Sequence, residues 1–439
     1  MLTDKQKDEQ YTKFRVTRRN FIKAGTGLAT MAGLFSVMNK NYVAEAATGT
    51  VLNKAGLNGA SVNLREVNDN WLGTSKIVGP IKQRSELEIG FYQAAQGFYG
   101  AEAKKGVGTF IPKHPLGGAI SSMRKFLATE DAVHGVPSPN KLPIPDPERM
   151  SKHIKETALF LHADEVGIGV MPKYAFYTHN APPLPKVLYE GTAKLTDLKP
   201  VPESHHYPYV IGILVDQNLT TMLGSTGYDG ISGSMSMNAY LFSGLIACTL
   251  AAYIRNLGYN ARAQHCANYQ MTLPPALIAA GLGEMSRTGE CALHPRLGFR
   301  HKAAAVTTDL PLLPDKPIDF GLVDFCSKCL KCAENCPAGA ISLDRDQKEF
   351  NGYYKWVNDM PKCTVFRTTN SEGSSCGRCM KVCPWNDKEQ SWVHSVGTWA
   401  ASRSGTAAKL LKDVDDMFGY GTEVVQEYRW WLEWPELYK

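Results

Sequence analysis

Apolar residues recur at helical spacing from Met150 to Asp164 and then run almost unbroken through Val166-Gly167-Ile168-Gly169-Val170-Met171. That change of period predicts a helix followed by a short buried strand. Val210-Ile211-Gly212-Ile213-Leu214-Val215 predicts a second strand, apolar on both faces. A long helix is expected from about Met237 to Leu257, with Gly258 as its C-terminal cap. Its apolar centre, Tyr240 to Ile254, is short for a bilayer span and carries Ser, Cys, Thr and Gly, as a buried helix of a globular core does. Residues 47–145 lack such periods. They are rich in Gly, Pro and mixed polar residues and leave through Pro137, Pro139, Pro143, Pro145 and Pro147, which reads as a linker or a strand-free wrap.

These textures divide the chain into a basic N-terminal segment (1–46), a wrapping region (47–145), an α/β region (146–310), a cysteine-rich module (311–400) and a tail (401–439). At 439 residues the chain is long enough for two or three domains with a substantial core. The tail holds Trp430, Trp431 and Trp434, which either pack a terminal helix on the core or wall an apolar substrate channel.

The formal charge of +6 overstates how basic the protein is. Without residues 1–46 there remain 40 Lys/Arg against 38 Asp/Glu, or +2, which argues against a nucleic-acid surface. The glycine-rich stretches Gly100 to Gly108 and Gly224 to Gly233 miss the dinucleotide fingerprint. No phosphate-cradling Gly-Lys-Ser/Thr loop, hydrolase triad or H-E-x-x-H motif is evident.

The cysteines carry the strongest chemical signal. Cys326, Cys329, Cys332 and Cys336 precede Pro337 in a C-x2-C-x2-C-x3-C-P run, the spacing of bacterial ferredoxins. Cys363, Cys376, Cys379 and Cys383 precede Pro384 and repeat the pattern with a first gap of twelve residues. Structural zinc prefers separated ligand pairs, and disulfides need no proline after each fourth cysteine. The fourth thiolate of each cluster crosses over in two-cluster ferredoxins. Cys326, Cys329, Cys332 and Cys383 are therefore assigned to one [4Fe–4S] cluster, and Cys336, Cys363, Cys376 and Cys379 to the other. Cys248, Cys266 and Cys291 read as small buried hydrophobes, with Cys266 a further candidate for a pocket wall.

Thr17-Arg18-Arg19-Asn20-Phe21-Ile22-Lys23 has the form of a twin-arginine export signal, followed by an uncharged stretch from Ala24 to Met38 and by Ala44-Glu45-Ala46 as a cleavage site. The alternative is a basic amphipathic segment. Export in the folded state suits a protein whose clusters are inserted in the cytoplasm.

The export motif, the region Asn238 to Arg300, the phrase Thr308-Asp309-Leu310-Pro311-Leu312-Leu313-Pro314-Asp315-Lys316-Pro317 and both cysteine groups together resemble the respiratory reductive dehalogenases. The resemblance covers the export motif and most of 205–390. It implies an α+β fold in which a nitroreductase-like α/β core holds a base-off corrinoid without a protein ligand below the cobalt, followed by a ferredoxin-like two-cluster module. It implies an oxidoreductase that removes halide from a chlorinated or brominated organic compound, using Co(I) fed by the clusters, as the terminal step of organohalide respiration. It also implies a small membrane-integral anchor protein, a membrane electron donor such as a quinol chain, passage through the twin-arginine translocase, and peripheral attachment at the outer face of the cytoplasmic membrane.

The family's proton-donor tyrosine precedes a Leu-Gly-Tyr motif by about nineteen residues. Leu257-Gly258-Tyr259 puts Tyr240 at that place. A site near the helix N-terminus is expected to favour its phenolate. The basic partner falls on Lys302, with Arg300 second, and an orienting asparagine on Asn268. The bland alternatives are a core aromatic for Tyr240 and a surface lysine for Lys302. An exported electron carrier without catalysis, or a corrinoid reductase like epoxyqueuosine reductase, are the competing functions.

Overall fold

The computed structural model describes residues 73–188, 191–386, 405–417, 419 and 421–438. The export signal, the first part of the wrapping region and residues 387–404 lie outside them.

The core is a four-stranded sheet built from β1 (Glu165–Val170), β2 (Tyr209–Asp216), β3 (Ala261–Gln264) and β4 (His301–Thr308), in the order β1-β2-β4-β3. Every pairing in it is antiparallel, with Gly167 opposite Gly212 and Gly212 opposite Ala305. The two strands expected from the apolar runs are β1 and β2. The other two escape a reading of apolar runs because β3 is Ala-Arg-Ala-Gln and β4 begins His-Lys.

One face of the sheet carries the long helix. α1 (Pro115–Leu127) and α2 (Pro147–Phe160) flank it, and α3 (Gly230–Asn256) lies across the strands, its Ile246, Ala247, Leu250 and Ile254 buried with Ile168, Ile211, Ala304 and Val306. α3 begins at Gly230, seven residues before the expected start. Its first two turns are Gly-Ile-Ser-Gly-Ser-Met-Ser, in which glycines and serines leave only Ile231 and Met235 to mark the apolar period. By length and composition α3 could cross a membrane, yet it is the buried core helix of the domain. It ends as expected. Gly258 takes φ +88 and its N–H bonds Arg255 O at 2.9 Å, and a Cβ there would lie 2.5 Å from Lys141 Cα. The proline-rich exit runs against this end of the helix, with Ser138 and Leu142 donating N–H groups to Arg255 O and Leu257 O.

The other face is packed against backbone. A Cβ on Gly167 would lie 2.1 Å from Ala280 O, one on Gly169 2.6 Å from Ala279 C, and one on Gly212 2.6 Å from a Leu282 methyl. The helix Leu273–Ala279 and the following turn are therefore laid directly on the strands. Beyond β4, Asp315 closes the free edge of β1. Its N–H bonds Ile168 O at 2.7 Å, its carboxylate accepts from Ile168 N at 2.8 Å, and it pairs with Lys155 at 2.5 Å.

The cysteine module holds α4 (Leu322–Cys329), the hairpin Lys348–Phe350/Tyr353–Lys355, α5 (Met360–Thr369) and α6 (Arg378–Val382). Phe320 and Phe325 pack edge-on against the buried Trp385, with ring centroids 5.0 and 5.4 Å away. The wrapping region is mainly helical from Glu86 to Val133 and extended on either side of that span, and it covers the cysteine module as well as the core. The helix Ala101–Thr109 meets α5 so closely that a Cβ on Gly106 would touch Thr368 O at 2.1 Å.

The glycine strip should tolerate no side chain. Gly167→Ala is expected to lose about 1–3 kcal/mol through overpacking, whereas Gly118→Ala, on α1 with nothing nearer than 3.8 Å, should be neutral or gain about 0.5–1 kcal/mol. Thermal unfolding of the two variants side by side checks this; equal midpoints would contradict the close approach.

Candidate active site

Side chains alternate along β4. Ala304 and Val306 face α3, so Lys302, two residues earlier, projects to the same side, where Tyr240 stands on the third turn of the helix. The Lys302 ammonium lies over the Tyr240 ring, 5.1 Å from its centroid, and donates to Met380 Sδ at 3.3 Å. Met380 follows Cys379 on α6, and Gln217 Nε2 also reaches its sulfur at 3.3 Å.

These three residues meet at a cavity of about 690 Å³ between the core, the hairpin of the cysteine module and the segment 81–99. Tyr174, Tyr177 and Tyr269 complete an aromatic wall, and Thr272-Leu273-Pro274-Pro275 and Cys291 line it further. Lys302 is buried, 7 % exposed, which excludes a surface lysine. Burial lowers its pKa to about 8, with the Cys291 thiol the main opposing influence. Tyr240 is pushed well above the usual phenol range, first by burial and then by Cys266 and Cys291, against the pull of Arg367 and Arg124. This corrects the expectation of a dipole-favoured phenolate. Tyr240 is the eleventh residue of α3, and the helix field fades within the first turn. The hydroxyl is held as the neutral, proton-bearing form.

Two other candidates are occupied elsewhere. The Arg300 guanidinium binds Asp216 at 2.7 Å and does not line the cavity. Asn268 ties β3 to the end of α1: its amide donates to Ala128 O and Glu130 Oε1 at 2.9 and 3.1 Å and its oxygen accepts from Arg262 at 2.8 Å. Cys266 lies behind the wall, accepting from Arg124 at 2.6 Å, while Cys291 faces the cavity. The tail tryptophans form no channel there. Trp431 is buried against Gly224, and Trp430 and Trp434 are exposed on the outside.

The eight grouped cysteines sort in space as well as in sequence. Cys326, Cys329 and Cys383 share one apolar cluster, and Cys332 interacts with all three and with Cys379 between the groups. Cys376 and Cys379 interact with Cys363 and Cys336. Burial raises the thiols, with Asp415 adding to it at Cys329 and neighbouring thiols at Cys376 and Cys326; Cys329 and Cys376 rise to about 11 and Cys326 beyond the usual thiol range. Such thiolates form only against added positive charge, which cluster iron supplies. The donor set fits two iron–sulfur clusters. N–H groups of Ala340 and Arg378 point at Cys336 and Cys376 sulfurs, at 3.4 and 3.5 Å, bonds of the kind that tune cluster potentials.

Residues 325–386 match the 4Fe-4S dicluster domain family. A tetrachloroethene reductive dehalogenase from Dehalobacter restrictus is 29 % identical over 422 residues, covering 84 % of this chain and 72 % of that protein. The solved catabolic reductive dehalogenase NpRdhA superposes with a TM-score of 0.73 at 35 % identity, over 82 % of this chain and 49 % of its own. The chain is a homologue of the reductive dehalogenases. A further reductive dehalogenase structure, titled for a mechanism of B12-dependent dehalogenation, gives a TM-score of 0.70 at 35 % identity, over 82 % of this chain and 49 % of that one. The homologue thus spans about half the length of the solved dehalogenases it matches.

Sequence reasoning missed Cys291, Met380 and the tyrosine wall in this dehalogenase homologue. None belongs to a local motif, and only the cysteine spacing around Met380 hinted that α6 would face a site. The crossed assignment of the fourth cysteines has a direct test. If it holds, Cys363→Ala and Cys383→Ala each remove a different cluster, and the double variant loses both. If each group closed on itself, the double variant would keep one cluster, about four iron, by iron analysis and EPR.

Proposed function

We propose that this protein is a reductive dehalogenase, removing halide from a halogenated organic compound bound in the 690 Å³ cavity. The observation that carries the reading is the Lys302–Tyr240 pair, set in a buried aromatic cavity and touched by the helix that bears Cys379. A proton donor and an electron source on one wall are what replacement of halogen by hydrogen requires.

The cavity wall suits a corrinoid. The buried Tyr174 hydroxyl has no partner among the described residues, and Asn351, Asn358, Gly289 and the Thr272–Pro275 segment offer polar and flat apolar surface beside it. When bound, a corrinoid supplies the low-valent metal chemistry that cleaves a carbon–halogen bond. The chain's own part is narrower. The tyrosine wall excludes water, Tyr240 Oη holds a proton for the carbon fragment, and the ammonium over the ring steadies the phenolate left behind. Because burial keeps the phenol a weak acid, transfer is suited to a strongly basic carbon fragment and spares bulk protons. The thiols of Cys336, Cys363, Cys376 and Cys379 form the cluster nearer the cavity, since Cys379 acts on both Lys302 and Cys291.

The same reading includes export by the twin-arginine pathway, attachment at the outer membrane face through a small anchor protein, and electrons from a quinol-linked donor. The motif at Arg18-Arg19 supports the first.

Tyr240→Phe is expected to retain iron and cobalt but to lose turnover about 10²- to 10⁴-fold; full activity with a chlorinated ethene or phenol panel would remove Tyr240 from the donor role. The Lys302 cation is present below its pKa of about 8 and is lost as pH rises through that value. Halide release should therefore fall above about pH 8, and Lys302→Arg, charged throughout, should move that limb upward in a pH–rate profile.

A further inference from the structure

Each cysteine group is approached by an arginine that pairs with no carboxylate among the described residues. Arg287 serves the first. Its guanidinium donates to Cys326 O at 2.9 Å, Ser342 O at 2.9 Å and Asp344 O at 2.6 Å, and stacks on Trp356. Arg367 stands at the second. It lies on α5 four residues after Cys363, one helical turn away and on the same face. Its guanidinium rests on the Phe91 ring, 4.5 Å from the centroid, and its Nε is buried without a hydrogen-bond partner. From there it acts on Cys363 and Cys376, and on Cys291, Lys302 and Tyr240 across the cavity wall.

Arg378 is a second cation beside this group: it interacts with Cys376, but its guanidinium is turned to Thr226 O, Thr422 O and Asn335 and, unlike that of Arg367, has its hydrogen bonds met there. Glu290, the acid facing Cys363, is paired with Lys355 at 2.8 Å. Beside the first group, Lys331 is matched by Asp415 and Asp416. An unpaired cation in a poorly solvated site is screened little and acts over several ångströms.

We propose that Arg367 is the counter-cation of the cavity-facing cluster, a positioning residue that raises the reduction potential of that cluster alone. The assignment rests on the reading that Cys336, Cys363, Cys376 and Cys379 hold a [4Fe–4S] cluster. Reduction adds one negative charge to a centre already surrounded by four thiolates, and a fixed guanidinium stabilises the reduced form more than the oxidised one. The same cation, together with Arg124, also acts on Tyr240 against the effect of burial.

The test is an EPR-monitored redox titration of the holoprotein as wild type, Arg367→Gln, Arg367→Met and Arg367→Lys, each with iron quantified. In both neutral variants one midpoint should shift downward while the other stays, and lysine should restore most of the shift. Two unmoved midpoints, equal shifts of both, or a lysine variant that behaves like glutamine would overturn the assignment. So would loss of iron in the lysine variant, which would make Arg367 a part of the scaffold. A wild-type protein with one cluster would overturn the cluster reading and the assignment with it, whereas an unmoved potential in a two-cluster protein overturns the assignment alone.

Discussion

The buried ammonium of Lys381 joins the two halves of the molecule. It sits between Cys379 and Cys383 on α6 and donates to three backbone carbonyls, Leu223 and Glu423 at 3.0 Å and Ser225 closer still. Those carbonyls belong to the turn that launches α3 and to the C-terminal tail. Around it, Gly377 N–H bonds Gly227 O at 2.6 Å and Ser374 N–H bonds Asp229 O. A buried cation gives up its hydration and so requires acceptors at fixed places. The position of α6, hence of Met380 and of both clusters, is thereby referred to the start of the helix that carries Tyr240. Lys302 completes the arrangement from the sheet. Proton donor, cation and cluster come from three elements: the Lys381 ammonium ties two of them together, and Lys302 brings in the third through Met380.

The elements differ in how far the sequence announced them. Buried strands β1 and β2 and the C-terminal end of α3 were legible because apolar runs and a left-handed glycine leave local marks. The start of α3 was not, since five of the seven residues from Gly230 to Ser236 are glycine or serine, suited to close packing: Gly233 faces Ser374 across a gap a Cβ would close. β3 and β4 were hidden because arginine, glutamine, histidine and lysine point into a polar, partly enclosed interior, where tertiary contacts override strand propensity. The helices of 90–133 were hidden by their glycine content, which again reflects contact with a neighbouring backbone.

The site shows the same division. Cysteine spacing is set by the geometry of one cluster and survives in sequence as a motif. Tyr240 and Lys302 were reached through resemblance, not period, and their meeting depends on helix and strand facing across 62 residues of chain. Arg300 stood second to Lys302 and Asn268 was read as the orienting amide. The fold instead turns them away from the cavity, to Asp216 in one case and the end of α1 in the other, and such partners are a property of the fold.

The glycine strip of β1 and β2 has an evolutionary consequence. With backbone lying directly on β1 at Gly167 and Gly169, and the Leu282 and Leu277 side chains closed over Gly212, enlargement at any of the three meets a layer that is already filled. The tyrosine wall and the hairpin, by contrast, present replaceable side chains to the cavity. Descendants of this sequence that acquire different halogenated substrates would keep the sheet as an invariant floor and diversify along the opposite rim, so that selection for new chemistry and selection for folding fall on separate residues.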